Sequence, residues 1–211
     1  MPLQNRVDPF GAIHRNRARG LFTGNRGVIH DPGTKTLTGR RWTTKAWIVC
    51  RLDLDGRRRD VMGLTALSGR AGWTELFFLD EVTALAAGHR PCFFCRRRAA
   101  TDFARCFPAG PAKAGQMDGI LHAQRPATGA DSVWLEADEV SRLPDGAVIA
   151  VADKAFAVRD GRLLEWSWTG YRSAEPGAVD GRDPIRLLTP AATVDTLRNG
   201  YRPVWHPSAG S

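Results

Sequence analysis

Cys92 and Cys95 are the residues of this 211-residue chain whose type and spacing best suit metal chemistry. They stand in Pro91-Cys-Phe-Phe-Cys95, directly ahead of Arg96-Arg-Arg98. A Cys-x-x-Cys turn between two helical segments can aim both sulfurs at one point, which supplies half of a tetrahedral zinc site. The competing use is a redox dithiol, with one thiol acidified at a helix N-terminus. No strand–helix–strand pattern precedes the pair, so metal is the stronger reading. Two further ligands must come from elsewhere in the chain. His30 and Cys50 are the candidates. His30 also reads as a turn histidine beside Asp31-Pro32, and Cys50 as a small core residue of a strand. His89 reads as pointing back along a helix end, and His122 as reaching in from a later helix. Four protein ligands would make the site structural, whereas one position left to water would make it potentially catalytic.

The elements that must position these residues can be read in order. Met1 to Gly20 is polar, dotted with arginine and weakly periodic, so it reads as an extended arm. Leu21 to His30 reads as two short strand pieces around a turn at Gly24-Asn25, and Asp31-Pro-Gly33 as a turn. Ala46 to Leu52 has strand composition, and Asp53 to Met62 reads as a hairpin return. Thr74 to Leu79 suits a buried strand. Asp80 is a helix N-cap, with Val82, Leu85 and Ala86 at helical spacing behind it. Gly88 can take the left-handed conformation that ends such a helix, and Pro91 follows where a helix cannot continue. Arg96 to Phe107 reads as a basic helix with Cys106 on its apolar face, and Met117 to Arg125 as a shorter one. Val133 to Trp168 then reads as short strands separated by tight turns at Pro144-Asp-Gly146 and Asp160-Gly161, which suggests a small β-barrel. Thr189-Pro190 opens a terminal helix that Gly200 closes.

The stretch Gly88-His-Arg-Pro-Cys-Phe-Phe-Cys-Arg96, with the helix before it, resembles the metal-binding domain of Ada-type DNA alkylation-response proteins. Leu21 to His30 resembles the strand that carries that domain's first ligand. The resemblance covers roughly Leu21 to Arg98 and implies a zinc site, with DNA as the partner. Its first-ligand position falls on His30, and the family's second cysteine falls on Thr34. An imidazole can bind zinc but does not replace a methyl-accepting thiolate, so methyl-acceptor chemistry is not expected unless Cys50 takes that role. The whole chain is also similar to a group of uncharacterised bacterial proteins. Zinc deaminases join His-x-Glu to Pro-Cys-x-x-Cys. Here His122-Ala-Gln124 comes after the cysteines, and glutamine cannot shuttle protons, so a working deaminase is excluded.

Net charge is +8, and it is unevenly placed. Residues 1–60 hold 13 Lys and Arg against 5 Asp and Glu, and the remainder is balanced. Such a segment attracts polyanions, nucleic acid first, although a solvated basic face would have the same composition. Arg26, Arg40, Arg41, Arg96 and Arg97 are the candidate contacts. There is no long apolar run, and the N-terminal stretch MPLQNRVDPF lacks a signal peptide's apolar core. Four cysteines including a Cys-x-x-Cys pair point to reduced thiols, hence to the cytoplasm.

These observations predict an α+β chain with a zinc-binding basic domain over residues 1–126. A small β-rich domain with a terminal helix is expected over 127–211. The expected function is a zinc protein that contacts nucleic acid, with DNA repair or modification as its setting. The alternatives are a zinc-dependent hydrolase or nuclease-like enzyme, with an open metal position near His30 and His122 and a carboxylate such as Glu75 or Asp118 as base, and a zinc-stapled protein-interaction module.

Overall fold

The computed structural model describes residues 1–53, 60–64, 69–108, 110–125, 130–179 and 182–210, and the chain is a mixed α+β protein. It begins with β1 (Gln4–Val7), β2 (Ile13–Arg15) and β3 (Phe22–Asn25), then a separate hairpin of β4 (His30–Asp31) and β5 (Thr36–Leu37). β6 (Ile48–Arg51) and β7 (Leu76–Phe78) lead to helix α1 (Glu81–Ala86). The two-residue strand β8 (Arg90–Pro91) precedes α2 (Arg97–Cys106) and α3 (Ala114–Gln124). After these come β9 (Val133–Leu135), α4 (Ala137–Val140), β10 (Val148–Val151), β11 (Lys154–Arg159), β12 (Arg162–Ser167) and β13 (Gly170–Ser173). β14 (Ile185–Leu187), α5 (Ala191–Arg198) and a 3-10 turn at Pro207–Gly210 complete the chain.

One sheet has the order β2-β1-β7-β3-β6-β8, with parallel contacts at β1/β7 and β6/β8. The other has the order β13-β12-β11-β10-β14-β9 and is antiparallel throughout. The expected barrel does not form among the described residues. Closure would need the edge strands β13 and β9 to pair with each other, and among the described residues they do not. The sheet stays open and buries both faces instead, Val148, Ala150 and Ala157 against α1 and Ile149 against Val194 of α5.

Helix α1 is the element between the two sheets, and all six of its residues are buried. Leu79, Val82 and Ala86 pack on the second sheet. Ala84 and Ala87 pack on Val7, Phe22, Val49 and Phe78 of the first. Leu85 joins Phe103, Met117 and Leu121 of α2 and α3, with Leu197 of α5. A helix buried on every side has no solvent face to offer, so it is central, and its two polar side chains, Glu81 and Thr83, find their partners inside the protein. Hydrophobic clusters thus run across the boundary drawn at 126/127. Local chemistry fixes both helix ends. Asp80 accepts the Thr83 N–H at 2.8 Å, as an N-cap should. At the other end His89 N–H reaches Ala84 O at 2.9 Å and Gly88 N–H reaches Leu85 O at 2.9 Å. These two bonds form the paired C-terminal closure that needs a left-handed residue, and Gly88 supplies φ +83°.

Two further expectations change. Gly24 and Asn25 do not turn; they continue β3 and pair with Val49 and Ile48. Glycine fits there because a Cβ would lie 2.1 Å from the carbonyl oxygen of Ile48. The N-terminal arm also folds in, and β1 lies parallel to β7 with Asn5 and Val7 buried. The hairpin return through Arg57–Arg59 and residues 126–129 of the boundary loop lie outside the described residues.

Candidate metal centre

Parallel pairing of β6 with β8 assembles the site. Ile48 stands opposite Arg90 and Val49 opposite Pro91, and Cys92 N–H donates to Val49 O at 3.0 Å. Cys50 therefore comes level with Cys92. Strand alternation sends Val49 into the core and Cys50 to the other face. The chain then turns through Cys92 to Cys95, held by Arg96 N–H on Cys92 O at 2.9 Å, and enters α2. The ligand atoms of Cys50, Cys92 and Cys95 all lie within 4.8 Å of one another. No other group of three or more His, Cys, Asp or Glu is this close among the described residues. All three thiols are free, with Cys92 buried and the others half-buried.

Three thiols this close share protons unequally. Hydrogen bonds from the Cys50 and Cys95 thiols, helped by the N–H groups of Phe94 and Cys95, hold the Cys92 thiol far below its usual range despite burial. Cys50 is driven up, first by its hydrogen bonds to Cys92 and Cys95 and then by burial. A hydrogen bond from Cys50 favours the Cys95 thiolate, yet the bond to Cys92 and burial push Cys95 up on balance. The trio therefore ionises once easily and resists a second charge. A soft divalent cation removes that resistance, because thiolates become its ligands and their protons leave. Tetrahedral zinc with bonds of about 2.3 Å places its sulfurs about 3.8 Å apart. Sulfurs already gathered within 4.8 Å reach that spacing by small side-chain rotations, so the donor set fits zinc.

Buried ion pairs brace the turn on both sides. Arg90 holds Asp118 of α3 through Nε–Oδ1 and Nη2–Oδ2 contacts of 2.8 Å each. Arg96 holds Glu81 of α1 with two parallel contacts of 2.8 Å, and its guanidinium lies 4.4 Å over the Phe22 ring.

The structure gathers three of the four residues read as ligands and keeps His30 apart. His30 sits on β4, outside the sheet that aligns β6 with β8. It is buried, with Nδ1 hydrogen-bonded to Thr74 Oγ1 at 2.7 Å. His122 lies edge-on to Trp42 with ring centres 5.5 Å apart. His89 is buried against Trp47 and Phe78 and accepts a 3.4 Å contact from Arg26 Nε. The two carboxylates considered as bases are committed elsewhere. Glu75 accepts the Met62 N–H at 2.8 Å, and Asp118 is the partner of Arg90.

The arginines read as nucleic-acid contacts divide in two. Arg26 and Arg96 are corrections, because both serve the interior. Arg26 is 2% exposed; its guanidinium lies 4.0 Å over Trp47, and Nη1 donates to Gly11 O at 2.9 Å. Burial, followed by the neighbouring Arg125 charge, lowers its pKa to about 9. Arg96 is held by Glu81 as described. Arg40, Arg41 and Arg97 are exposed. A feature not anticipated lies beside them. A cleft of about 640 Å³ runs between the start of α2 and the segment Gly200–Val204, with Cys95 in its wall. Arg51, Arg97, Arg98 and Arg202 line it, and among the described residues no carboxylate pairs with any of the four. In sequence the Gly-Tyr-Arg-Pro203 stretch reads only as a helix stop; Arg202 within it is the residue that brings charge to the far wall.

Comparison with family models, with curated proteins and with solved structures finds no match to this chain.

Proposed function

We propose that Cys50, Cys92 and Cys95 hold one zinc ion, and that the basic surface beside it contacts nucleic acid through phosphate. The observation that carries this reading is the gathering of three free thiols within 4.8 Å from strand β6 and the turn that follows β8. Bound zinc would cross-link β6 to the turn and so to the start of α2, fixing the wall of the arginine cleft. Three thiolates around a divalent cation leave one net negative charge. Arg51, which follows Cys50 and has no carboxylate partner among the described residues, is the candidate to offset it, since Arg96 is already paired with Glu81. The resemblance to Ada-type metal domains supports the same pair of knuckle cysteines. It places the methyl acceptor at His30, which carries no thiol; Cys50 is the thiol that could stand in for it, and this reading assigns Cys50 to holding the zinc. A zinc hydrolase is less well supported, since Glu75 and Asp118 already have structural partners.

Fluorescence anisotropy with labelled oligonucleotides tests the nucleic-acid part, using reduced, zinc-loaded protein over a salt series. Binding should weaken linearly in log[salt]. Replacing Arg97 and Arg98 with alanine should lower the slope by about 0.7–0.9 for each phosphate that is no longer neutralised. Absence of binding at low salt, or binding without a salt slope, contradicts it.

A further inference from the structure

The two phenylalanines between Cys92 and Cys95 take opposite roles. Phe93 packs onto the cluster shared by α2, α3 and α5, with the Arg90 guanidinium 5.3 Å from its ring. Phe94 is 82% exposed, the most exposed large apolar side chain of the described residues apart from Met1. A single exposed apolar side chain needs no ligand to explain it. Phe94 stands out by its surroundings. It sits directly before Cys95, which walls the cleft, and the unpaired Arg97 and Arg98 follow one turn later. The turn that carries it is closed by Arg96 N–H on Cys92 O at 2.9 Å, so the ring is presented from the cysteine turn itself.

An exposed aromatic ring beside guanidiniums without carboxylate partners has a specific use. Proteins that bind unpaired strands combine a positive groove for the backbone with aromatic faces on which bases stack. In a duplex the base faces are already stacked on each other, and only the groove edges and phosphates are displayed. A concave cleft of about 640 Å³ is the size of a small-molecule site, large enough for nucleotide units but not for a rigid duplex. Trp134, 60% exposed, does not line this cleft; it lies on the edge strand β9 of the other sheet.

We infer that the protein binds single-stranded nucleic acid, with phosphates against Arg97, Arg98 and Arg202 and a base stacked on Phe94. This rests on the reading that the cleft meets nucleic acid, and it adds the class of strand and the stacking residue. The test compares one labelled single strand of about 12 nucleotides, within the site sizes of such proteins, with the duplex of the same sequence. Each is titrated with zinc-loaded wild type, Phe94→Ala, Phe94→Trp and the Arg97→Ala/Arg98→Ala double variant, after thermal melts show that each variant is folded. The single strand should bind more tightly than the duplex. Phe94→Ala should weaken it about 5- to 150-fold, the range expected for one base stack, while Phe94→Trp retains binding. An unchanged affinity in Phe94→Ala, or tighter binding of the duplex, overturns the inference. If the double arginine variant still loses affinity in that case, the phosphate reading survives without it. No binding of either nucleic acid overturns both.

Discussion

At the start of α1, Asp80 and Glu81 are fully buried carboxylates with every oxygen engaged; at the start of α2, Arg97 and Arg98 are exposed guanidiniums without a carboxylate partner. Asp80 accepts from Thr83 N–H, Thr83 Oγ1 and Tyr171 Oη on one oxygen and from His206 N–H on the other. Glu81 accepts both Arg96 nitrogens, Tyr201 Oη at 2.6 Å and Val204 N–H at 2.9 Å. Burial still pushes the Asp80 carboxyl above its usual range, in spite of those hydrogen bonds. The partners come from β13 of the second sheet, from the start of α2 and from the C-terminal segment, so the carboxylates join distant parts of the chain. A buried charge is tolerated only when paired in this way. The contrast separates two uses of arginine. Arg26, Arg90 and Arg96 are internal connectors, while Arg51, Arg97, Arg98 and Arg202 have no carboxylate partner among the described residues, and Arg202 Nη1 donates only to the Leu197 and Tyr201 carbonyls at 3.4 and 3.3 Å.

The largest effect expected is at the connector. Arg96→Ala leaves Glu81 charged and buried, and should lower unfolding free energy in urea by about 3–5 kcal/mol. Arg97→Ala, one residue on, should change it by less than about 0.5 kcal/mol. Similar costs for the two would erase the distinction drawn between them. An intermediate effect is expected from acid. Burial, reinforced by the charges of Arg26 and Arg125, holds the His89 imidazolium pKa well below the ordinary histidine value of 6.5. The native state therefore refuses a proton that the unfolded chain accepts. The stability involved is fully present above pH 6.5 and is lost as pH falls below it. The slope from this one group is at most about 1.4 kcal/mol per pH unit. Denaturant titrations from about one pH unit above that value to about one below it should show a shallower slope in His89→Leu than in wild type; equal slopes contradict the assignment. The smallest effect is reserved for a pair that both solvent and sequence spacing make weak. Arg142 and Asp138 form an exposed i,i+4 pair, and Arg142→Ala should shift stability by no more than about 0.5 kcal/mol.

Much of the seam was legible locally. Asp80 as cap, Gly88 as stop, the helix after Cys95 and the core position of Cys106 each follow from a few neighbouring residues. The cysteine pair was legible for the same reason. Its third member was harder, because Cys50 meets Cys92 through a parallel register with a strand of only two residues. No periodicity signals so short an element, and Cys50 had an equally good reading as core. His30 was placed beside the cysteines by resemblance, whereas β4 pairs only with β5 and stands apart. Arg26 looked like a surface residue since nothing adjacent to it announces Trp47, whose ring lies under its guanidinium. The barrel expectation failed for a related reason: strand lengths and turns are local, but which edges meet is decided by what covers the sheet.

Zinc content of reduced, purified protein is the most direct test of the metal centre. Elemental analysis should give about one zinc per chain in the wild type and in His30→Ala, and a clear loss in Cys50→Ala. No zinc in the wild type, or zinc kept in Cys50→Ala and lost in His30→Ala, would contradict a site built from Cys50, Cys92 and Cys95.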